Sequence, residues 1–163
     1  MIKSAVFLDR DGVINFPIIK DNKPYPPYNE SDLKIIPGVE QALKKLKKNN
    51  FFTFIITNQP DFRRGKISKN NILKIKEIIK KQLTIDEIMT CFHNDNDNCN
   101  CRKPKIGLFL KIAKKYSIDF KKSYMIGDRW KDIEAGINIG CKTFFIDNNY
   151  NEKKPNQFDY KIN

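Results

Sequence analysis

Three carboxylates, a threonine and a lysine stand where phosphoryl chemistry could be assembled from them. The stretch DRDG sets Asp9 and Asp11 two residues apart at the end of an apolar run, with Gly12 allowing a tight turn. A third acid, Asp128, ends the later run SYMIGD. Converging carboxylates make an oxygen-rich site suited to Mg²⁺, which takes one or two carboxylates, waters and a substrate phosphate oxygen. A lone strand-end aspartate is most simply a turn or helix cap. Thr57, Arg102 and Lys103 alter that reading, because they add a hydroxyl and two cations. A nucleophile, charge neutralisation and donors for the equatorial oxygens are what phosphoryl transfer requires.

A second constellation is metal-like. The chain has four cysteines and one histidine, and three of those cysteines and the histidine fall within CFHNDNDNCNC. Cys91, His93, Cys99 and Cys101 supply three thiolates and an imidazole, the donor set of Cys₃His zinc sites. Two short clamps are joined by the polar hairpin NDNDN. A disulfide and a redox centre compete with this reading, but disulfides persist poorly in the cytosol and the spacing is not C-x-x-C. Structural Zn²⁺ is the expectation; four protein ligands leave no open position for activating water. Asp95 and Asp97, inside the hairpin, read as turn formers. Cys141 stands alone and reads as a buried apolar residue. Arg102 and Lys103 follow Cys101 directly, so a metal here would fix the backbone that carries both.

These residues need a scaffold that gathers distant strand ends. SAVFLD is a buried strand delivering a carboxylate. Pro37-Gly38 opens a helix with Val39, Ala42, Leu43 and Leu46 on one face. FFTFIIT is a second strand ending at Thr57, and Ser68 can cap a helix to about Lys81, with Ile72, Ile75, Ile78 and Ile79 inward. IDEIMTCF, SYMIGD and TFFID supply three more strands. Gly107 to Tyr116 and WKDIEAGINIG supply two more helices, the latter closed by glycine. The Pro-, Tyr- and Asn-rich segment from Phe16 to Asp32 reads as a loop, and the residues from about Tyr150 as a loosely held tail. Alternating strands and helices predict an α/β fold, a mostly parallel sheet with helices on both faces. Ligands bind such sheets at the carboxyl ends of the strands, and Asp9, Thr57 and Asp128 all sit at such ends. The expected organisation is one domain, 1–150, with the zinc loop at 91–101 and a tail at 151–163.

Composition narrows the classes. Forty per cent hydrophobic residues and a length of 163 suit one globular domain. No run of about 18 apolar residues occurs, so no membrane partner is expected. MIKSAVFLDRDG lacks a signal-peptide cleavage pattern, giving a cytoplasmic expectation. The net charge of +12 would attract phosphates, nucleic acid included. Its lysines, however, are spread over KKLKKNN, KNNILKIKEIIKKQ and KIAKKY, which read as solvated helix faces, so nucleic acid is not the expected partner.

FLDRDGVIN, IITNQ, CRKP and MIGDRWKDIEAG, in that order, resemble the four motifs of the haloacid dehalogenase superfamily. With the cysteine cluster they look like its small capless phosphatases, a group that includes heptose 1,7-bisphosphate phosphatases and histidinol-phosphatase domains. The resemblance runs from about Val6 to Asp147. It implies a single Rossmann-like domain without a cap, and a zinc-bearing loop where the cysteines lie. It implies Asp9 as nucleophile and Asp11 as general acid and then base, with Thr57 and Asn58 on the phosphoryl oxygens and Lys103 balancing their charge. Mg²⁺ would be held by Asp9, the Asp11 backbone carbonyl and Asp128, supported by Asp132. Gln59, Arg102 and Arg129 are the expected substrate contacts.

The leading expectation is a phosphatase, acting as a monomer, that removes the 7-phosphate of a heptose 1,7-bisphosphate, a precursor of surface polysaccharide. Histidinol phosphate is the alternative substrate, followed by nucleic-acid ends; a zinc-stabilised nucleic-acid-binding module is the alternative from another class. Capless enzymes choose substrates with their loops, here Phe16 to Asp32, Gln59 to Gly65 and the zinc loop. The turn PDFRRG and the stretch FPIIKDNKPYPPYNE depart from the Ser-Gly-type turn and loop of the resembling enzymes. Arg63 and Arg64 read equally as cations at the cleft mouth or as a solvated turn.

Overall fold

In the computed structural model, which describes residues 3–162, the five apolar runs become strands of one sheet. The first two residues of the expected domain and the last residue of the expected tail lie outside the described residues. The elements are β1 (Ala5–Leu8), β2 (Ile18–Lys20), β3 (Lys23–Tyr25), α1 (Val39–Lys48), β4 (Phe52–Asn58), α2 (Lys69–Gln82) and β5 (Glu87–Cys91). They continue with α3 (Gly107–Tyr116), β6 (Tyr124–Gly127), α4 (Trp130–Ile139), β7 (Lys142–Ile146) and β8 (Tyr160–Ile162). The main sheet has the order β5-β4-β1-β6-β7-β8, and every pairing in it is parallel.

Alternation along the central strands divides the core in two. In β1, Ala5 and Phe7 point into one apolar cluster with Phe54, Phe109, Ile112 and Met125. Val6 and Leu8 point into the other, with Leu43, Ile55, Ile72, Ile75 and Ile79. α3 and α4 therefore cover one face, and α1 and α2 the other. Ser68 caps α2 by accepting from the Asn71 amide at 3.1 Å, as its position predicts. Ala42 is exposed, so the inward stripe of α1 is narrower than the periodicity suggests.

Two segments differ from expectation. Inside the expected loop 16–32, β2 and β3 form an antiparallel hairpin. Its turn residues Asp21 and Asn22 both have positive φ, 50° and 58°, as a two-residue type I′ turn requires. Pro24 is tolerated because the ribbon has only two strands, and a proline without an N–H can occupy an edge. The expected tail is also structured. β8 adds a sixth strand beside β7, and Asp159 pins it there: its carboxylate accepts from the Thr143 amide at 2.7 Å and hydroxyl at 2.9 Å. The short apolar content of YKI conceals this strand from periodicity.

The sheet reverses its winding between β1 and β6: connections from β1 run outward through β4 to β5, and from β6 outward through β7 to β8. That switch point opens a crevice at the carboxyl ends. Asp9 directly follows β1 and Asp128 directly follows β6, so the topology itself brings the two acids face to face.

Candidate active site

The crevice is a cleft of about 460 Å³, and its lining includes Asp9, Asp11, Thr57, Asn58, Lys103 and Asp132. At its floor lies Lys103, 1% exposed. Its ammonium donates to Asp9 Oδ1 at 2.6 Å and to the Ile56 carbonyl at 2.5 Å, and pairs with Asp132 Oδ1 at 2.6 Å. Asp9, Asp128 and Asp132 are all buried, and one carboxylate oxygen from each lies within 4.8 Å of the others. Three carboxylates thus face one ammonium, leaving a formal deficit of two positive charges. Burial pushes the Asp9 carboxyl up to about 7; the Asp132 charge adds to this and Lys103 opposes it. Asp128 is raised well above the usual range by burial and by the Asp9 and Asp132 charges. Burial works against the charge of Lys103, but Asp132 and Asp9 outweigh it and the ammonium is held above its ordinary value. Asp128 Oδ1 is buried without a hydrogen-bond partner. A divalent cation fits both the charge deficit and that orphaned oxygen.

The turn after β1 is closed by the Arg10 carbonyl, which accepts from the Ile14 amide at 2.8 Å and the Asn15 amide at 3.1 Å. Gly12 is required in it: φ is +91°, and a Cβ there would lie 1.8 Å from Asp128 Oδ2. Asp11 lines the cleft, but its carboxylate stands outside the ring of three. Oδ1 accepts from Arg10 Nε and Asn15 Nδ2, each at 3.0 Å; Oδ2 accepts from Arg10 Nη2 at 3.0 Å and Gln59 Nε2 at 2.7 Å. Gln59, expected to touch substrate, is buried and does not line the cleft. Its amide instead ties Asp11 to Thr57, donating to Thr57 Oγ1 at 2.9 Å. The Asn58 side chain grips the Lys103 backbone in both directions, accepting from its N–H at 3.1 Å and donating to its carbonyl at 3.2 Å.

The expected substrate arginines both line the cleft, and both are held by carboxylates. Arg102 donates to Asp95 through Nε at 3.0 Å and Nη2 at 3.2 Å, and Lys131 joins the same carboxylate at 2.7 Å. Asp95 is therefore more than a turn former; Arg102 and Lys131 hold its carboxyl well below the usual range. Arg129 is gripped by Glu152, Nε at 2.8 Å and Nη2 at 2.5 Å. Asp97 does form the turn, accepting from the Asn94 amide at 2.7 Å. Arg64 reaches the cleft, whereas Arg63 pairs with Asp97 outside it. Tyr150 and Glu152 come from the start of the segment read as a tail and Asn148 from just before it, and nothing in their local spacing marks them. Arg10 and Asn15 lie within FLDRDGVIN, one and four residues from Asp11, where their nearness to it could have drawn attention.

Cys91, His93, Cys99 and Cys101 form a second cluster, also within 4.8 Å, that could hold a metal ion. Cys91 Sγ lies 3.9 Å from Cys99 Sγ and 3.1 Å from Cys101 Sγ, and His93 Nδ1 lies 3.5 and 3.2 Å from Cys91 and Cys101. The edge of a tetrahedron around zinc with sulfur ligands is roughly 3.8 Å. These cysteines are free thiols, not disulfides, and Cys141 is buried as expected.

Comparison with known proteins agrees with this geometry. A profile for haloacid dehalogenase-like hydrolases matches residues 18–140. The D-glycero-alpha-D-manno-heptose-1,7-bisphosphate 7-phosphatase of Campylobacter jejuni is 36% identical over 163 aligned residues, spanning 97% of this chain and 89% of that one. The D-glycero-beta-D-manno-heptose-1,7-bisphosphate 7-phosphatase of Haemophilus influenzae is 34% identical, spanning 86% and 79%. Among solved structures, the D,D-heptose 1,7-bisphosphate phosphatase from B. bronchiseptica, complexed with magnesium and phosphate, aligns with a TM-score of 0.76 at 27% identity. That alignment covers 88% of this chain and 80% of the other.

The ring of carboxylates predicts a pH signature in metal-free protein. Asp9 titrates near 7 when folded against 3.8 as its ordinary value, so the folded state binds the extra proton between them. That contribution is complete below the lower value and lost as pH rises through the upper one. The melting temperature should fall between about pH 5 and pH 8, and fall less in Asp9→Asn. Equal slopes in a thermal-shift scan would contradict the assignment.

Proposed function

The chain belongs to the haloacid dehalogenase-like hydrolase family, and within it we propose a Mg²⁺-dependent phosphatase that removes the 7-phosphate of D-glycero-D-manno-heptose 1,7-bisphosphate. The observation that carries this reading is the buried ring at the switch point, where Lys103 sits 2.6 Å from both Asp9 and Asp132. The choice of sugar rests on the relatives' activities.

In this reading Lys103 holds Asp9 Oδ1, leaving Oδ2 to attack phosphorus. The bond from phosphorus to the sugar oxygen breaks, and Asp11, protonated and turned from Arg10 and Gln59, gives that oxygen its proton. The aspartyl-phosphate is then opened by water, whose proton returns to Asp11 as phosphate leaves. Thr57 Oγ1 accepts from Gln59 and keeps its own proton for a phosphoryl oxygen; the Asn58 amide supplies a further donor, and Lys103 balances the charge. Mg²⁺, held by Asp9, the Asp11 carbonyl and Asp128 and supported by Asp132, supplies charge neutralisation for the transferring group. Arg102 and Arg129 turn from Asp95 and Glu152 to the far part of the substrate. Zn²⁺ on Cys91, His93, Cys99 and Cys101 keeps the loop that leads into Lys103 in place. Action in the cytoplasm on a small sugar phosphate belongs to the same reading; no described helix is long and apolar enough to cross a membrane.

Purified protein should release phosphate from heptose 1,7-bisphosphate with Mg²⁺ and not with EDTA, leaving the 1-phosphate. Turnover should exceed that on histidinol phosphate and on 3′-phosphorylated oligonucleotides. Asp9→Asn should lower it at least about a thousandfold with an unchanged circular dichroism spectrum. Faster hydrolysis of histidinol phosphate would overturn the substrate, and an active Asp9→Asn the nucleophile. Elemental analysis should find one zinc per chain. Stripping it should speed amide exchange across residues 91–103 and lower kcat; a zinc-free protein with unchanged exchange would refute the structural role.

A further inference from the structure

The two carboxylate oxygens of Asp128 stand in different surroundings. Oδ1 is buried with no partner, whereas Oδ2 accepts from the Tyr150 hydroxyl at 2.7 Å and from Asn148 Nδ2 at 3.3 Å. Asn148 Nδ2 also donates to the Tyr150 hydroxyl oxygen at 3.0 Å. The phenol thus accepts from Asn148, and its single proton is committed to Asp128. Gly12 closes the remaining space: a Cβ there would fall 1.8 Å from Asp128 Oδ2 and 2.9 Å from the Tyr150 hydroxyl.

Tyr150 is itself held on its C-terminal side. The Asn151 amide donates to the Asn22 carbonyl at the tip of the β2–β3 hairpin at 2.8 Å. Glu152 grips Arg129, and Lys153 lies 4.4 Å over the Trp130 ring. The segment is a clasp running from the hairpin tip to the start of α4, and the Tyr150 hydroxyl carries its hold onto the carboxylate ring.

Resting on the magnesium phosphatase reading, we propose that Tyr150 is a positioning residue for the catalytic metal. Its hydroxyl, oriented by Asn148, locks the Asp128 carboxylate so that Oδ1 is the oxygen offered to the divalent cation. A liganding carboxylate free to rotate must be ordered each time the ion binds; one held by a hydrogen bond at its other oxygen is ordered in advance. Loss of such an outer partner weakens metal binding by about 10–100-fold.

The test uses zinc-loaded protein without substrate and Mn²⁺ as the probe, with free ion followed by electron paramagnetic resonance. Wild type should bind one Mn²⁺, and Asp128→Asn should abolish it. Tyr150→Phe, which keeps the ring and its packing, should bind at least about tenfold more weakly with an unchanged metal-free melting temperature. Asn148→Ala should show a smaller loss. In turnover, half-saturating Mg²⁺ should rise about tenfold in Tyr150→Phe while kcat recovers at saturating Mg²⁺, a rescue that a merely structural defect would not permit. Wild-type affinity in Tyr150→Phe overturns the inference and leaves the phosphatase reading standing. Wild type that takes up no Mn²⁺, or Asp128→Asn that binds like wild type, overturns the metal assignment and this inference with it.

Discussion

An ammonium group removed from water has three protons to place, and Lys103 places them on Asp9, Asp132 and the Ile56 carbonyl. Leaving one buried charge unpaired would cost several kcal/mol, so those acceptors must stay where they are. They come from the end of β1, from within α4 and from β4. One side chain therefore ties together the elements on both sides of the switch point. The same contact explains why the ring is too acidic to be complete by itself: a single cation cannot balance three buried carboxylates. The pocket is built for further positive charge.

Lys103 is delivered by a loop, not by a regular element. The cysteine cluster ends two residues before it, at Cys101, and the Asn58 amide clamps its peptide from β4. Cys91, at the end of β5, and Cys101 also belong to the apolar core beside Phe54 and Leu108. The loop is thus bound to the sheet at its start and end, and Asp95 of its polar NDNDN turn lines the cleft. That turn carries Asp95, so the segment that fixes the lysine also supplies a wall of the substrate pocket.

Much of this was legible in the residues. Apolar runs that end in an acid, as in SAVFLD and SYMIGD, report a buried strand and a carboxylate at its carboxyl end at once, because side-chain burial and strand direction share one pattern. The helix of WKDIEAGINIG needs Gly127 before it for a related reason: a Cβ there would lie 2.1 Å from Asp132 Cβ. Other features left no local trace. Gln59 follows Thr57 at a spacing that suits a substrate contact, and only the turn after β4 directs it onto Asp11. Tyr150 and Glu152 act on Asp128 and Arg129, more than twenty positions upstream, through a segment with no periodic pattern. Hairpin β2–β3 was hidden by its prolines, although Asp21-Asn22 is turn chemistry.

The carboxylates on the two cleft arginines change what it means for an anion to enter. Arg102 and Arg129 do not wait as bare cations; an anion that took the Nε–Nη2 edge of either guanidinium would displace Asp95 or Glu152. Occupancy there is an ion exchange, in which the guest gains only the difference between two charge-assisted pairs. A small anion that reaches one arginine gains little by the swap. A ligand with charged groups at both ends gains at two places for one loss of translational freedom. Despite a net charge of +12, these two arginines are thus self-buffered against stray anions.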